Sequence, residues 1–334
     1  MNRAFRRNLT ALARLAAATC QGVLLGCDPG PGPADPDDTG ECALAIDETW
    51  PLDGSADFYV RDEIAFYLDA PASQRDPVLA LWQQDVAIAG ESRVSEDRET
   101  VTFTPAAPLD PRTPYTATLS SCLGESSIGF TTSNLGILLE AEVVGRTYLV
   151  DLLDGRVVTP EGFGDIVVVI VEEPRFLVEV QEADETLVLL GAATDGHKLQ
   201  QAPCAPTIPF PPADFSQAPY FEVSPVLVQL EVDGVTLSLH EFELSGTFAP
   251  DGTWFGGGVI GGELDTRDLV DLVPDMESPE DLCALVASFG AACEPCTSDG
   301  ELLCLPVLID RLEGFEVPVD VVEITDPSEN PDCQ

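Results

Sequence analysis

Apolar and polar positions alternate in short runs along most of the chain. In "VTFTPAAPLDPRTPYTATLSS", residues 101–121, Val101 and Phe103 share one face, while Thr100, Thr102 and Thr104 share the other. Period-two alternation of this kind marks half-buried strands. Between residues 41 and 132, Pro, Asp and Gly punctuate such runs every ~8–12 residues, the rhythm of an antiparallel sandwich. Further along, "PVLVQLEVDGVTLSLHEFEL" alternates on both sides of Asp233-Gly234, and "FELSGTFAPDGTWFGGGVIGGELDT" does so around Pro250-Asp251-Gly252. Both read as hairpins, because Asp and Gly accept the positive φ of tight turns. Gly256, Gly257, Gly258, Gly261 and Gly262 would weaken a flat strand and suit one that bends sharply or admits another chain closely. "RTYLVDLLDGRVV" and "RFLVEVQEADETLVLLGA" supply further strands. "DIVVVIVEE" reads as a buried strand, with a short helix beginning near Pro160 as the alternative.

One helix is expected. Ser278 suits an N-cap, Pro279 the first helical position, and Glu280 and Asp281 the positive end. Leu282, Leu285, Val286 and Phe289 form its apolar face and Gly290 its end. The expected fold class is therefore mainly β: a sandwich over residues 41–132, then a second antiparallel barrel or sandwich over 133–334 with one inserted helix. Tyr115 follows the Pro-rich corner "PLDPRTP", where a tyrosine can bury its ring and return its hydroxyl to nearby backbone.

The pattern "VTFTPAAPLDPRTPYTATLSS" closing on "GFTTS" resembles the bacterial Ig-like domain found in S-layer and other secreted bacterial proteins. Val101, Thr102, Phe103, Pro105, Leu109, Pro111, Thr113, Tyr115, Phe130 and Thr132 sit on that family's strand–corner–strand pattern. The resemblance implies an Ig-like β-sandwich used as a spacer or adhesion module. This copy is short between its last two strands, around Gly124. Residues 133–334 resemble no named family.

The first 27 residues contain no Asp or Glu and carry Arg3, Arg6 and Arg7 ahead of an Ala/Leu-rich stretch. A basic head, a short apolar middle and a small residue before a cleavage point form a signal peptide. Leu24-Leu25-Gly26-Cys27 resembles the lipobox of bacterial lipoproteins, which implies cleavage before Cys27 and its lipidation. Cleavage after Ala16-Ala17-Ala18, releasing a soluble protein, is the alternative. Residues 28–40, "DPGPGPADPDDTG", have almost nothing to bury and suit an acidic tether. Acyl chains contribute about 0.8 kcal/mol per buried methylene, so the expected address is the cell envelope, lipid-anchored at the outer membrane or surface of a bacterium.

The whole chain carries 15 Lys+Arg against 59 Asp+Glu, a formal charge of −44, and loss of the first 27 residues removes four arginines and makes it −48. Nucleic-acid binding needs cations that displace counterions, so nucleic acid is excluded as a partner. Carboxylates can gather calcium, but the D-x-D-x-D-G loop is missing and "DPDDTGE" has the wrong spacing.

Export makes disulfides the expected state of the cysteines. Cys42 and Cys122 fall near the first and a late strand of the sandwich, and pairing them would contribute on the order of 4 kcal/mol in the chain-entropy model. Cys283, Cys293, Cys296 and Cys304 lie close together. A zinc site lacks its second close pair, and a redox C-x-x-C would sit at a helix N-terminus rather than after a helix end. Two structural bridges are expected, with three pairings open and the two local ones, Cys283–Cys293 and Cys296–Cys304, preferred. Cys204 and Cys333 remain as a pair that would hold down the C-terminal tail.

No catalytic, metal-binding or cofactor-binding set is expected. His197 and His240 are the only histidines, one in a polar loop and one in a strand, and no G-x-S-x-G, H-E-x-x-H or phosphate loop occurs. "DTRDLVDL", with Arg267 between Asp265 and Asp268, reads as a surface turn. The leading functional expectation is a non-enzymatic, lipid-anchored envelope protein with a structural, adhesive or ligand-binding role. Its partners would be the membrane and an envelope protein, glycan or small ligand. A secreted acid-pair hydrolase and a lipocalin-like carrier, both in residues 133–334, are the alternatives.

Overall fold

The structure is a computed structural model and describes residues 44–72, 77–122, 124–160, 175–195, 199–232, 235–270, 276–288, 291–329 and 333. Residues 1–43 with Cys27 and Cys42, the "DIVVVIVEE" run, His197, Asp233-Gly234, Phe289 and Gly290 lie outside these residues. Residues 42–334 form one compact unit.

Eight strands build the amino-terminal sandwich: β1 (Ile46–Trp50), β2 (Ile64–Leu68), β3 (Val78–Gln83), β4 (Val86–Ala87), β5 (Gly90–Val94), β6 (Thr100–Pro105), β7 (Pro114–Ser121) and β8 (Gly124–Thr131). They form two antiparallel sheets, ordered β1-β2-β6-β5 and β4-β3-β7-β8. The alternation in the sequence decides which side chains fill the space between them. Val101, Phe103, Tyr115, Ala117, Leu119 and Phe130 are buried there with Phe58, Ile64, Phe66, Leu79 and Leu81. Tyr115 makes the expected corner: its ring stacks on Phe130 with centroids 5.9 Å apart, and its hydroxyl accepts the backbone N–H of Asp110 at 3.0 Å.

Ten strands follow: β9 (Thr147–Asp151), β10 (Arg156–Thr159), β11 (Arg175–Ala183), β12 (Thr186–Ala193), β13 (Ile208–Pro209), β14 (Ala213–Asp214), β15 (Tyr220–Val232), β16 (Val235–Phe248), β17 (Trp254–Asp265) and β18 (Cys304–Val317). They make one antiparallel sheet in the order β13-β12-β11-β9-β18-β17-β16-β15, with β10 beside β18 and β14 beside β12. This sheet is a half-barrel, as the expectation of a mainly antiparallel β domain allows. β18 changes partner along its length, pairing with β10 near Ile309 and with β9 from Gly314 to Val317.

The concave core is aromatic. Tyr148, Phe210, Phe215, Phe221, Phe242, Phe248 and Phe255 fill it with Val150, Val180, Leu187, Leu244, Ile260 and Leu312. Glycine makes room for these rings. A Cβ on Gly314 would stand 2.2 Å from the Phe255 ring, and one on Gly246 would stand 3.0 Å from both Phe221 and Phe255. The turn at Pro250-Asp251-Gly252 forms as the sequence indicates, with Gly252 at φ +66° and its N–H donating to Ala249 O at 2.9 Å. Tyr148 is buried and donates its hydroxyl to Gly252 O at 2.7 Å.

Two helices follow β17, not one. Helix α1 (Thr266–Leu269) is capped by Asp265, whose side chain accepts Arg267 N–H, so "DTRDLVDL" is not a surface turn and Asp265 is buried. A carboxylate two positions before an arginine reads as solvated, but here it closes a helix and accepts the guanidinium together. Helix α2 (Pro279–Ala287) starts on the Ser278 cap as expected and buries Leu282 and Val286; Ser288 is its C-cap. After β18 the chain folds back as a strap. Val321 N–H donates to Glu179 at 2.8 Å, Ile324 and Thr207 exchange hydrogen bonds, and Val321 covers Leu177, Leu190 and Ala192.

The sandwich meets the half-barrel through the turn Tyr59–Asp62. Val60 of this turn is buried in the sandwich core, while the Tyr59 ring lies against Gly257 of β17, where a Cβ would stand 2.2 Å from it. Gly257 also sits at φ +59° in an irregularity of the β17–β18 ladder. Alanine there would strain the backbone and push the ring away, so Gly257→Ala should lower stability by about 1–3 kcal/mol in urea unfolding. Removing the ring as well, with Tyr59→Ala, should make the two losses less than additive. Tyr115→Phe should cost about 1 kcal/mol in the same assay, because it leaves the Asp110 N–H without its acceptor.

Candidate functional site

The junction between sandwich and half-barrel holds a set of part-buried polar contacts that sequence reasoning did not anticipate. Three side chains of the turn Tyr59–Asp62 reach the half-barrel. The Tyr59 hydroxyl and Thr247 Oγ1 are 2.7 Å apart, and burial pushes this phenol up to about 12. The Arg61 guanidinium lies 4.0 Å over the Tyr220 ring, whose hydroxyl donates to Glu222 at 2.8 Å. Asp62 accepts the Trp50 indole N–H at 3.2 Å and faces Arg311 Nε at 3.7 Å.

Arg311 is the cation at the centre of this group. It lies on β18 at φ +58°, with its guanidinium 3.4 Å over the Trp50 ring. Its Nε is buried and makes no hydrogen bond. Beside it, Arg156 of β10 clamps Asp310 through two hydrogen bonds. Burial pushes the Asp62 carboxyl up to about 6, against the pull of Arg311 and the Trp50 N–H. Burial likewise lowers the Arg311 guanidinium from its ordinary value and raises the carboxyl of Glu313, which faces Asp154 and Asp57. Charges that share a poorly solvated space move toward neutrality unless hydrogen bonds satisfy them.

The cysteines that the sequence singles out take structural positions. Cys283 is bonded to Cys293 and Cys296 to Cys304, tying α2 and the segment after it to the start of β18, and Cys204 is bonded to Cys333, fastening the strap. Cys122 is disulfide-bonded too. Buried Asp265 stands with Cys296 and Cys304, their ligating atoms within 4.8 Å of one another. Those sulfurs are bonded to each other, so they are not the thiolates that a zinc or redox reading requires. Arg267 instead satisfies Asp265 through its Nε and Nη2 and reaches Asp299 at 2.6 Å. Despite the burial of Asp265, these hydrogen bonds hold its carboxyl below the usual range.

His240 lies on β16 opposite Glu263 and is half-buried. Glu263 is engaged with Thr297, accepting from its N–H at 3.1 Å and its hydroxyl at 2.9 Å. The space a lipocalin-like carrier would keep for a ligand is occupied by the aromatic core. A shallow cavity of about 170 Å³ lies instead on the sandwich, between Gln83, Ile88, Pro108 and Tyr115. Among the described residues no helix is long and apolar enough to cross a membrane.

No curated protein sequence matches the chain. Among solved structures it is similar to an L,D-transpeptidase from Mycobacterium smegmatis, at 14% identity over 60% of this chain and 75% of that one, TM-score 0.24. It is also similar to L,D-transpeptidase 3 from Mycobacterium tuberculosis, at 17% identity over 31% of this chain and 43% of that one, TM-score 0.21. The N-terminal part of the bacterial S-layer protein SbsC matches at 11% identity over 42% of this chain and 40% of that one, TM-score 0.20. The chain thus spans less than half the length of two of these three, and at such scores none of them bears on function. Residues 41–129 match the model of the bacterial Ig-like domain, and the amino-terminal sandwich is such a domain, a module that fits a structural or adhesive part at a cell surface.

Proposed function

We propose that the protein is a lipid-anchored component of the bacterial cell envelope, held by an acylated Cys27, in which the Ig-like domain and the half-barrel act together as a structural or adhesive body. The match of residues 41–129 to a bacterial Ig-like domain carries this reading. The lipobox-like Leu24-Leu25-Gly26-Cys27 and the unburiable tether behind it support the anchor. The disulfides among residues 204–333 fit export to an oxidising compartment.

The role is binding or support rather than catalysis. Among the described residues of the half-barrel, buried Asp265 is paired with Arg267 and half-buried Asp310 with Arg156. A hydrolytic pair needs two carboxyls converging on open space. The partner would be an envelope protein, a glycan or a small ligand that tolerates a strongly acidic surface, which disfavours polyanions.

The anchor is tested by expressing the full chain in a bacterial host and fractionating the cells. The wild-type protein should sediment with membranes, incorporate radiolabelled palmitate and require detergent for release. Cys27→Ala should lose the label and appear in the soluble fraction. A Cys27→Ala protein that stays wholly with membranes would sink the proposal.

A further inference from the structure

We propose that the junction between the Ig-like domain and the half-barrel is a proton-sensitive joint that closes more tightly on acidification, with Asp62 as the group that takes up the proton. The geometry supports this before any titration is considered. Asp62 stands on a turn that reaches from the sandwich to the half-barrel, so whatever changes its charge acts on the contact itself. Its side chain is one-fifth exposed, and it faces Arg311 Nε at 3.7 Å, beyond hydrogen-bonding distance. The hydrogen bond to its carboxylate comes from the Trp50 indole at 3.2 Å. The ionised carboxylate therefore gives up water on docking and gains little in return.

Asp62 and, more weakly, Asp310 both favour the Arg311 cation, so Asp62 is not its sole partner. The Arg311 guanidinium rests on the Trp50 ring and sits beside Asp310. Neutralising Asp62 leaves both of those partners in place. Arg311, the Trp50 indole and Arg156 favour the ionised form of Asp62, and burial outweighs them. Arg156 of β10 is committed to Asp310, and Tyr67 of β2 acts on Arg156 and Arg311. In its own turn Arg61 is engaged over Tyr220, and Glu63 follows in the chain. Asp310 is a second negative charge near Asp62 and favours its neutral form.

The sign follows from linkage. The carboxyl stands at about 6 in the closed joint and at its ordinary value of 3.8 when solvated. A raised value in the closed form means that the closed form binds the proton more tightly. The stabilisation is therefore complete below the ordinary value and is lost as pH rises through about 6. Between pH 7.5 and 4.5 the closed-to-open ratio should rise roughly thirtyfold.

Acidification also relieves the self-repulsion of a chain with formal charge −44, so the test must separate the joint from the whole molecule. Amide hydrogen exchange read by mass spectrometry, corrected for intrinsic rates, reports the opening even when the open form is rare. Peptides spanning Tyr59–Asp62 should gain protection by the stated factor from pH 7.5 to 4.5, measured relative to Tyr115–Leu119 in the sandwich core. Asp62→Asn keeps an acceptor for Trp50 and removes the charge, and its joint should be protected at both pH values with no step. Trp50→Phe removes the indole donor that favours the ionised form, so its step should move to higher pH. Three results would each overturn the proposal: a wild-type joint whose relative protection is flat or falls on acidification; an Asp62→Asn joint that keeps the wild-type step or is open throughout; or a Trp50→Phe step that does not move. Membrane attachment plays no part in this measurement, so its outcome is independent of the lipid anchor.

Discussion

Ring volume set against missing side chains is the constraint on which the carboxy-terminal half of the molecule depends. A concave sheet that buries Tyr148, Phe221, Phe248 and Phe255 in edge-on and tilted contacts has no room for Cβ atoms on the strands that face them. Gly246 and Gly314 supply that room from two sides of Phe255. The same device, used at Gly257, admits a ring from the neighbouring domain. Packing inside the half-barrel and docking onto it are thus one solution applied twice: a glycine opens a slot and an aromatic residue fills it. The junction then inherits the stiffness of the core, because the strand that carries the slot also carries Phe255.

How legible this was in the sequence depends on whether the information is local. The Pro250–Gly252 turn, the Ser278 cap and the Tyr115 corner each rest on residues within a few positions of one another, and each forms where the residue types demand it. The Gly256–Gly258 run left open a sharp bend or a close approach of another chain. Nothing in it named Tyr59, almost 200 residues upstream, as the group that approaches. Asp62 was invisible for the same reason: it is one of 59 acids, and only the fold places it against Arg311. Asp265 was misread because its neighbour Arg267 makes it look solvated, when Asp265 is a buried helix cap that accepts hydrogen bonds from the exposed Arg267. Four clustered cysteines leave three pairings open, and only the path of α2 toward β18 selects among them.

The scarcity of cations gives this chain a further logic. With so many carboxylates to choose from, several arginines take partners that join segments distant in sequence. Arg146 links β9's edge to Asp251 and Glu316, Arg156 fixes β10 to β18, Arg175 ties β11 to β9, and Arg267 ties α1 to the loop at Asp299. Exposed ion pairs of this kind contribute little one by one. Their placement matters more than their strength, because each joins two separate strands or loops.

Arg311 departs from that pattern, and the departure explains why the junction is the place where charge can matter. Arg93, Arg146, Arg156, Arg175 and Arg267 meet carboxylates through direct hydrogen bonds. Arg311 spends its face on Trp50, an attraction that needs no carboxylate and survives any change in pH. Asp62 is left near a cation without being bonded to it, in a space narrowed by the docked Tyr59. A carboxyl in that position has the surroundings of a buried acid and the neighbours of an ion pair, and the missing hydrogen bond lets the burial prevail.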